Sequence, residues 1–110
     1  MECRRLEITI VSANNLEQVR LFGLKMNVHA RVFIGGLPEK EKRTPTDTHG
    51  KRNPVWNYAA SYTIIESMLQ NCNTILDVHL YCTSKSGDKY IGQVNISLKE
   101  LFDAAGSPPP

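Results

Sequence analysis

An all-β sandwich is the fold that this chain predicts. Three features lead there: apolar residues that alternate over short runs, turn-forming residues at the joints, and no long amphipathic helix. With 110 residues and 41% hydrophobic content, the chain suffices for one domain around one core, without the layered volume that most cofactor enzymes use.

The elements follow in order. Leu6, Ile8 and Ile10 alternate with Glu7 and Thr9, the period of a strand with one face buried. Val28, Ala30, Val32 and Ile34 repeat that period until Gly35-Gly36-Leu37-Pro38 forces a turn. His29 and Arg31 point the other way here, and His29 and His79 read as ordinary outward strand residues. A third alternation sets Lys40, Lys42 and Thr44 against Glu39, Glu41 and Arg43; lacking an apolar side, it belongs at a sheet edge.

Beyond a loop marked by Gly50, Asn53 and Pro54, the residues Trp56, Tyr58, Ala60, Tyr62 and Ile64 share the inward face of an aromatic-rich fourth strand. Thr63-x-x-Glu66 reads as a capping box opening a short helical turn through Met68 and Leu69, which Asn71-Cys72-Asn73 breaks. Leu76, Val78, Leu80 and Cys82 form the next inward face, residues 83–89 a polar loop, and residues 90–97 a sixth strand. A second capping box, Ser97-Leu98-Lys99-Glu100, leads into Leu101 and Phe102. The Gly-, Ser- and Pro-rich end cannot continue an element, so residues 1–103 read as the domain and 104–110 as a tail.

The net charge of +2 is too small to mark the whole chain as a nucleic-acid binder, so an electrostatic partner must be met by a local patch. No apolar run approaches the roughly 20 residues that span a bilayer, and the N-terminus lacks a signal-peptide apolar region; a cytoplasmic protein is expected. Cys3, Cys72 and Cys82 are odd in number and widely spaced, which fits a reducing compartment and buried apolar cysteines rather than a disulfide framework or a zinc site. Catalytic signatures are missing: no Gly-x-Ser-x-Gly, no phosphate-binding Gly-rich loop followed by Lys and Ser or Thr, no His-Glu-x-x-His. A non-catalytic protein is expected. No nucleic-acid partner is expected either, because the basic patch lacks interleaved exposed aromatics and Trp56, Tyr58 and Tyr62 face inward.

Leu6-Glu7-Ile8 with Ala13-Asn14-Asn15-Leu16, then Asn53-Pro54-Val55-Trp56-Asn57, then Asp88-Lys89-Tyr90-Ile91-Gly92 resemble, in order and spacing, the successive signatures of C2 domains. The opening and the Leu21-Phe22-Gly23 loop resemble small plant single-C2 proteins linked to cold and defence responses. The resemblance implies an antiparallel C2-type sandwich that meets membranes or proteins. Family members usually add two strands after the segment holding Leu98 and Phe102; their absence would leave a sheet edge for a second copy or an exchanged strand.

Many members of the family hold calcium with aspartates in the loops at one end, and calcium requires several carboxylates among about six to eight oxygens. By the resemblance those positions fall here on Tyr81, Thr83 and Lys89, with Asp88 one residue off, and near Gln18 and on Asn27. No metal is therefore expected, Asn27 and Asp88 being the residual candidates and Asp88 reading as a solvated turn residue. Other members bind acidic headgroups through a basic face around the strand before Asn-Pro-x-Trp-Asn. Arg31, Lys40, Lys42, Arg43, Lys51 and Arg52 lie in that region against Glu39, Glu41 and Asp47, a local net charge of +3, and are the candidate lipid-binding residues. Lys40 and Lys42 equally suit an edge strand protected against aggregation. Leu21, Phe22 and Leu24 suit packing onto the sandwich better than dipping into a membrane. Two functions follow: a module that docks weakly and without calcium on anionic phospholipid in signalling or stress response, or an adaptor for protein partners with incidental lipid affinity.

Overall fold

The computed structural model describes residues 3–19, 26–35, 41–65, 67–68 and 74–106. Among the described residues six strands run β1 (Cys3–Ser12), β2 (Val28–Ile34), β3 (Lys42–Arg43), β4 (Val55–Ile65), β5 (Ile75–Cys82) and β6 (Lys89–Ser97), followed by helix α1 (Leu98–Gly106). All pairings are antiparallel: β1 with β4 in one sheet, and β3-β2-β5-β6 in the other. The alternation seen in the sequence becomes the two inner faces. Leu6 and Ile8 of β1 and Ala60, Tyr62 and Ile64 of β4 pack against Val32 and Ile34 of β2, Leu76 of β5 and Leu98 of α1.

A smaller apolar cluster of Met26, Val28 and Cys82, with Leu16, Val19, Trp56 and Ile91 against it, fills one end. Trp56 ties the two sheets there, its indole N–H donating to the Val28 carbonyl at 3.0 Å. At the opposite end Ser97 caps α1 by accepting the Glu100 backbone N–H at 3.5 Å, and the Leu98 N–H donates to the Thr74 carbonyl at 2.9 Å. Leu98 is thereby pinned fully buried beneath the sandwich.

Most of the expected strands stand, and five readings need adjustment, the first being Thr63, which lies inside β4 instead of capping a helical turn. The third strand is an edge, as its lack of an apolar side requires, but only Lys42 and Arg43 pair with β2. Thr44 still bonds β2, its N–H donating to the Ala30 carbonyl at 2.9 Å, but the Ala30 N–H goes to its hydroxyl at 2.9 Å, and it is buried. His29 does point away from the core, yet it is only 4% exposed, because Thr83, Arg31 and the Tyr81 ring close over it. Cys82 is buried as expected, but Cys3 is exposed at the start of β1, and Cys72 lies outside the described residues. Helix α1 continues to Gly106, three residues into the segment read as tail.

Candidate functional site at the loop end

β1 ends, β2 begins, β4 begins, β5 ends and β6 begins at the same end of the sandwich, because Ser12 pairs with Val55 and Val28 with Cys82. Three connecting loops therefore converge. Asp47 organises the middle one. Its Oδ1 accepts the N–H groups of His49 and Gly50 at 2.7 and 2.6 Å, and its Oδ2 accepts that of Val55 at 2.8 Å. These bonds to the charged form, that of Gly50 foremost, hold its carboxyl below the usual carboxylate range. The signal in the sequence was the Asp-Thr-His-Gly run, an aspartate poised to bond its own following backbone.

The tip of this loop is a turn closed by the Asn53 N–H on the Gly50 carbonyl at 2.8 Å. Lys51 sits in it with φ of 55°, a left-handed conformation that a residue with a side chain adopts at a cost. Arg52 fastens the first loop, its Nε donating to the Leu16 carbonyl at 2.6 Å while the Leu16 N–H donates to the Arg52 carbonyl at 3.0 Å.

The third loop is held to β2 by a chain of polar contacts. The Arg31 guanidinium lies 3.8 Å from the centre of the Tyr81 ring, donates to Asp88 Oδ2 at 2.6 Å and donates from Nε to His29 Nε2 at 3.1 Å. Since Nε2 accepts there, the neutral imidazole carries its proton on Nδ1 and donates it to the Thr83 hydroxyl at 2.7 Å. Thr83 in turn meets the Thr46 hydroxyl at 3.1 Å, joining the second and third loops. Asp88 Oδ1 accepts the Ser84 N–H at 3.1 Å, and that bond is the main reason its carboxyl is lowered below the ordinary range. Burial, then the Arg31 charge, lowers the His29 pKa below 6.5, so the ring stays neutral.

Among the described residues the expected basic side chains take different partners. Arg31 is bound to Asp88, and Arg43 to Glu41 at 2.9 Å. Lys42 reaches across the sandwich edge to the Ser61 carbonyl and lies 4.7 Å from the Tyr62 ring centre. Lys40 lies outside the described residues, as do Leu21, Phe22 and Leu24. Lys51 and Arg52 stand apart from this group, exposed at the loop end, where the convergence of loops brings them to the same side as the exposed Lys85 and Lys89. Local charge counting in the sequence passed over those last two lysines because more than 30 positions separate them from Lys51 and Arg52.

Asp88, a residual metal candidate, is engaged by Arg31 and Ser84 rather than turned into a cage. Asp47 already takes three backbone N–H groups. Among the described residues no three His, Cys, Asp or Glu side chains gather as a metal site, so the residues present do not fit an oxygen-rich calcium cage. Asn27, the other candidate, lines a solvent-open cleft of about 580 Å³ together with Thr83, Ser84, Lys85 and Ser86.

The outer face of the larger sheet carries a row of rings that the sequence reading missed. Phe33 meets His79 at 5.0 Å between ring centres, His79 meets Tyr90 at 6.1 Å, and Tyr90 meets Tyr81 at 5.8 Å. A register shift between Leu80 and Tyr81 sets Tyr90 opposite Tyr81. Aromatics therefore do interleave with Arg31, contrary to one premise used against nucleic-acid binding, although Trp56 and Tyr62 face inward as expected.

Two antiparallel sheets with three connecting loops gathered at one end define an all-β sandwich module. The chain belongs to the C2 domain family, whose pattern matches residues 4–108. It is 36% identical over 96% of its length to Protein SRC2 of Glycine max and 32% identical over 94% to the Protein SRC2 homolog of Arabidopsis thaliana. The chain spans about a third of the length of these relatives, 37% and 32% respectively. A C2 domain of RIM from Drosophila superposes with a TM-score of 0.72 at 28% identity, covering 86% of this chain and 75% of that one. A C2 domain of plant Extended Synaptotagmin 1 gives the same TM-score of 0.72 at 20% identity, covering 87% and 70%, a likeness of fold.

Proposed function

We propose that this domain is a non-catalytic module that docks on anionic phospholipid surfaces without calcium, leading with its loop end. The observation that carries the reading is the engagement of Asp88 by Arg31 while Lys51, Arg52, Lys85 and Lys89, at the same end of the sandwich, stay exposed. A cage of carboxylates would draw a cation first; here the exposed charge is already positive, against Glu17. At about 1 kcal/mol per basic side chain near an anionic leaflet, these lysines and Arg52 supply a few kcal/mol, a weak and salt-sensitive attachment. Arg31 and Arg43 are paired with carboxylates and contribute less, and Lys42 and Arg52, each bonded to a backbone carbonyl, keep their charge but are held in place. Among the described residues no helix is long and apolar enough to cross a membrane, so peripheral attachment at the cytoplasmic surface is the form proposed. A role in signalling or stress response is proposed by likeness to the plant relatives.

Sedimentation with vesicles tests it. Phosphatidylcholine vesicles with and without phosphatidylglycerol are compared in calcium and in chelator, for the wild type and a Lys51→Glu, Lys85→Glu variant. Binding that needs phosphatidylglycerol, ignores chelator and is lost in the variant is expected. Binding that appears only with calcium overturns the proposal.

A second reading rests on the ring-lined outer face. Its charges are compensated by Arg31–Asp88 and Arg43–Glu41 pairing, and Tyr90 is half exposed, which suits a protein partner better than a phosphate surface. Self-association through β1, whose second edge has no partner strand among the described residues, belongs to the same reading. Retained partner capture in the charge-reversal variant, with no vesicle binding by the wild type, favours it.

A further inference from the structure

The outer face of the larger sheet sets its rings beside a row of amides. Register places Gln93 of β6 opposite His79 and Asn95 opposite Asp77, while His79 and Asp77 lie opposite Arg31 and Phe33 of β2. The polar groups are ordered among themselves. The Tyr90 hydroxyl donates to Gln93 Oε1 at 3.1 Å, Gln93 Nε2 donates to Asn95 Oδ1 at 3.2 Å, and Asn95 Nδ2 donates to Asp77 Oδ1. Each amide nitrogen carries a second hydrogen that this series of bonds does not use, and both amides are exposed. Carbonyl acceptors of a partner can therefore be met along β6.

The rings beside them do not form a flat platform. Tyr90 stands at 81° to His79 and at 69° to Tyr81, and Phe33 is tilted by 60° to His79. An upright ring between two neighbours leaves a notch on each side, suited to a compact apolar ring. Phe33 and Tyr90 are two ring steps apart, 5.0 and 6.1 Å, a span of the order of one turn of polyproline helix, about 9 Å. Such a helix has no internal hydrogen bonds, so its carbonyls are open to the Gln93 and Asn95 donors, and being pre-formed it loses little entropy on docking. Charge narrows the choice further. Arg31 is paired with Asp88 and Arg43 with Glu41, and Asp77 adds a carboxylate, so the charges of this face do not favour a phosphate chain.

We infer that this face docks a proline-rich segment of a protein partner in the polyproline form. Prolyl rings fill the notches beside Tyr90, and backbone carbonyls accept the spare hydrogens of Gln93 and Asn95. The inference rests on the protein-partner reading of this face and names the chemistry of that partner.

Decaproline, a Gly-Ser peptide of the same length and an oligothymidylate are each titrated into the isotopically labelled whole chain, and the ring and amide signals are followed by NMR. Decaproline should shift the signals of Tyr81, Tyr90 and the Gln93 and Asn95 side-chain amides, and should bind roughly tenfold tighter than the Gly-Ser peptide. Tyr90→Ala, at a half-exposed position, should lose that binding with the rest of the spectrum unchanged, and Gln93→Ala should weaken it roughly threefold. Equal binding of the two peptides, or shifts confined to other residues, overturns the inference, as does tighter binding of the oligothymidylate. Tighter decaproline binding by a chain shortened to Gly106 assigns the face to Pro108-Pro109-Pro110 of this chain and overturns the partner's segment as its occupant. No binding of decaproline, with capture of a folded protein that Tyr90→Ala abolishes, overturns the inference and leaves the protein-partner reading standing. Capture that Tyr90→Ala does not affect, again with no decaproline binding, overturns both.

Discussion

Asp88 Oδ2 lies 2.6 Å from an Arg31 guanidinium nitrogen, and its other oxygen accepts the Ser84 N–H at 3.1 Å, so one carboxylate fastens the third loop to β2. Both side chains are partly shielded, at 17% and 24% exposure. Allowing for solvent screening, Asp88→Asn should cost about 1 kcal/mol, read as a lower urea midpoint at unchanged slope. Millimolar calcium should leave the wild-type melting temperature in place. A rise of several degrees on adding calcium would mean that the ion displaces Arg31 from Asp88.

His29 gives a pH dependence with a definite sign. Its folded pKa lies below 6.5, lowered first by burial and then by Arg31; Arg43 lowers it further, while Asp88 and Glu41 raise it. The unfolded chain therefore takes up this proton first as pH falls. Stability is full above 6.5, and is lost as the pH drops through 6.5 toward the folded value. The lowered carboxyls of Asp47 and Asp88 act elsewhere, giving stability that is present above 3.8 and lost in stronger acid. Urea melts at several values between about pH 5 and 8 should show the first slope in the wild type and a flattened one in His29→Gln. An unchanged slope in the variant would show that His29 is not its source.

Leu98 is fully buried against the core residues of both sheets although it is the first residue of α1. Leu98→Ala should cost about 2–5 kcal/mol, the range for a core leucine whose site cannot collapse. A loss under about 1 kcal/mol in denaturant melts would show that the helix docks only loosely.

Lys51, with φ of 55°, pairs strain with exposure. Lys51→Gly should raise stability by up to about 1 kcal/mol, since glycine adopts that conformation without penalty, and should weaken binding to anionic vesicles. A variant that is more stable and binds equally well would show that Lys51 does not meet the membrane. Gly50→Ala should act oppositely on stability, because an added Cβ would fall 2.8 Å from the Pro54 Cα and closer still to the Asn53 carbonyl.

Alternation alone determined the strands: Leu6 and Ile8, Val28 through Ile34, and Leu76 through Cys82 each carry a period of two that only one buried face explains. The short edge strand at Lys42 and the cap at Ser97 were legible for the same reason, since both depend on residues within one turn of each other. The site was not legible in this way. Lys51 and Lys85 come to the same end of the sandwich only through the Val28 pairing with Cys82 and the Asp47 bridge to Val28. Arg31 and Asp88 are 57 positions apart, and nothing in either local sequence says that they neutralise each other. His29 alternates outward like any strand residue; its burial was decided by a loop and a ring from β5 closing over it. Local periodicity reports which face of a strand is apolar, a property of one element. Charge compensation, the ring row from Phe33 to Tyr90 and the cleft beside Asn27 depend on distances between elements, and those exist only once the sheets have packed.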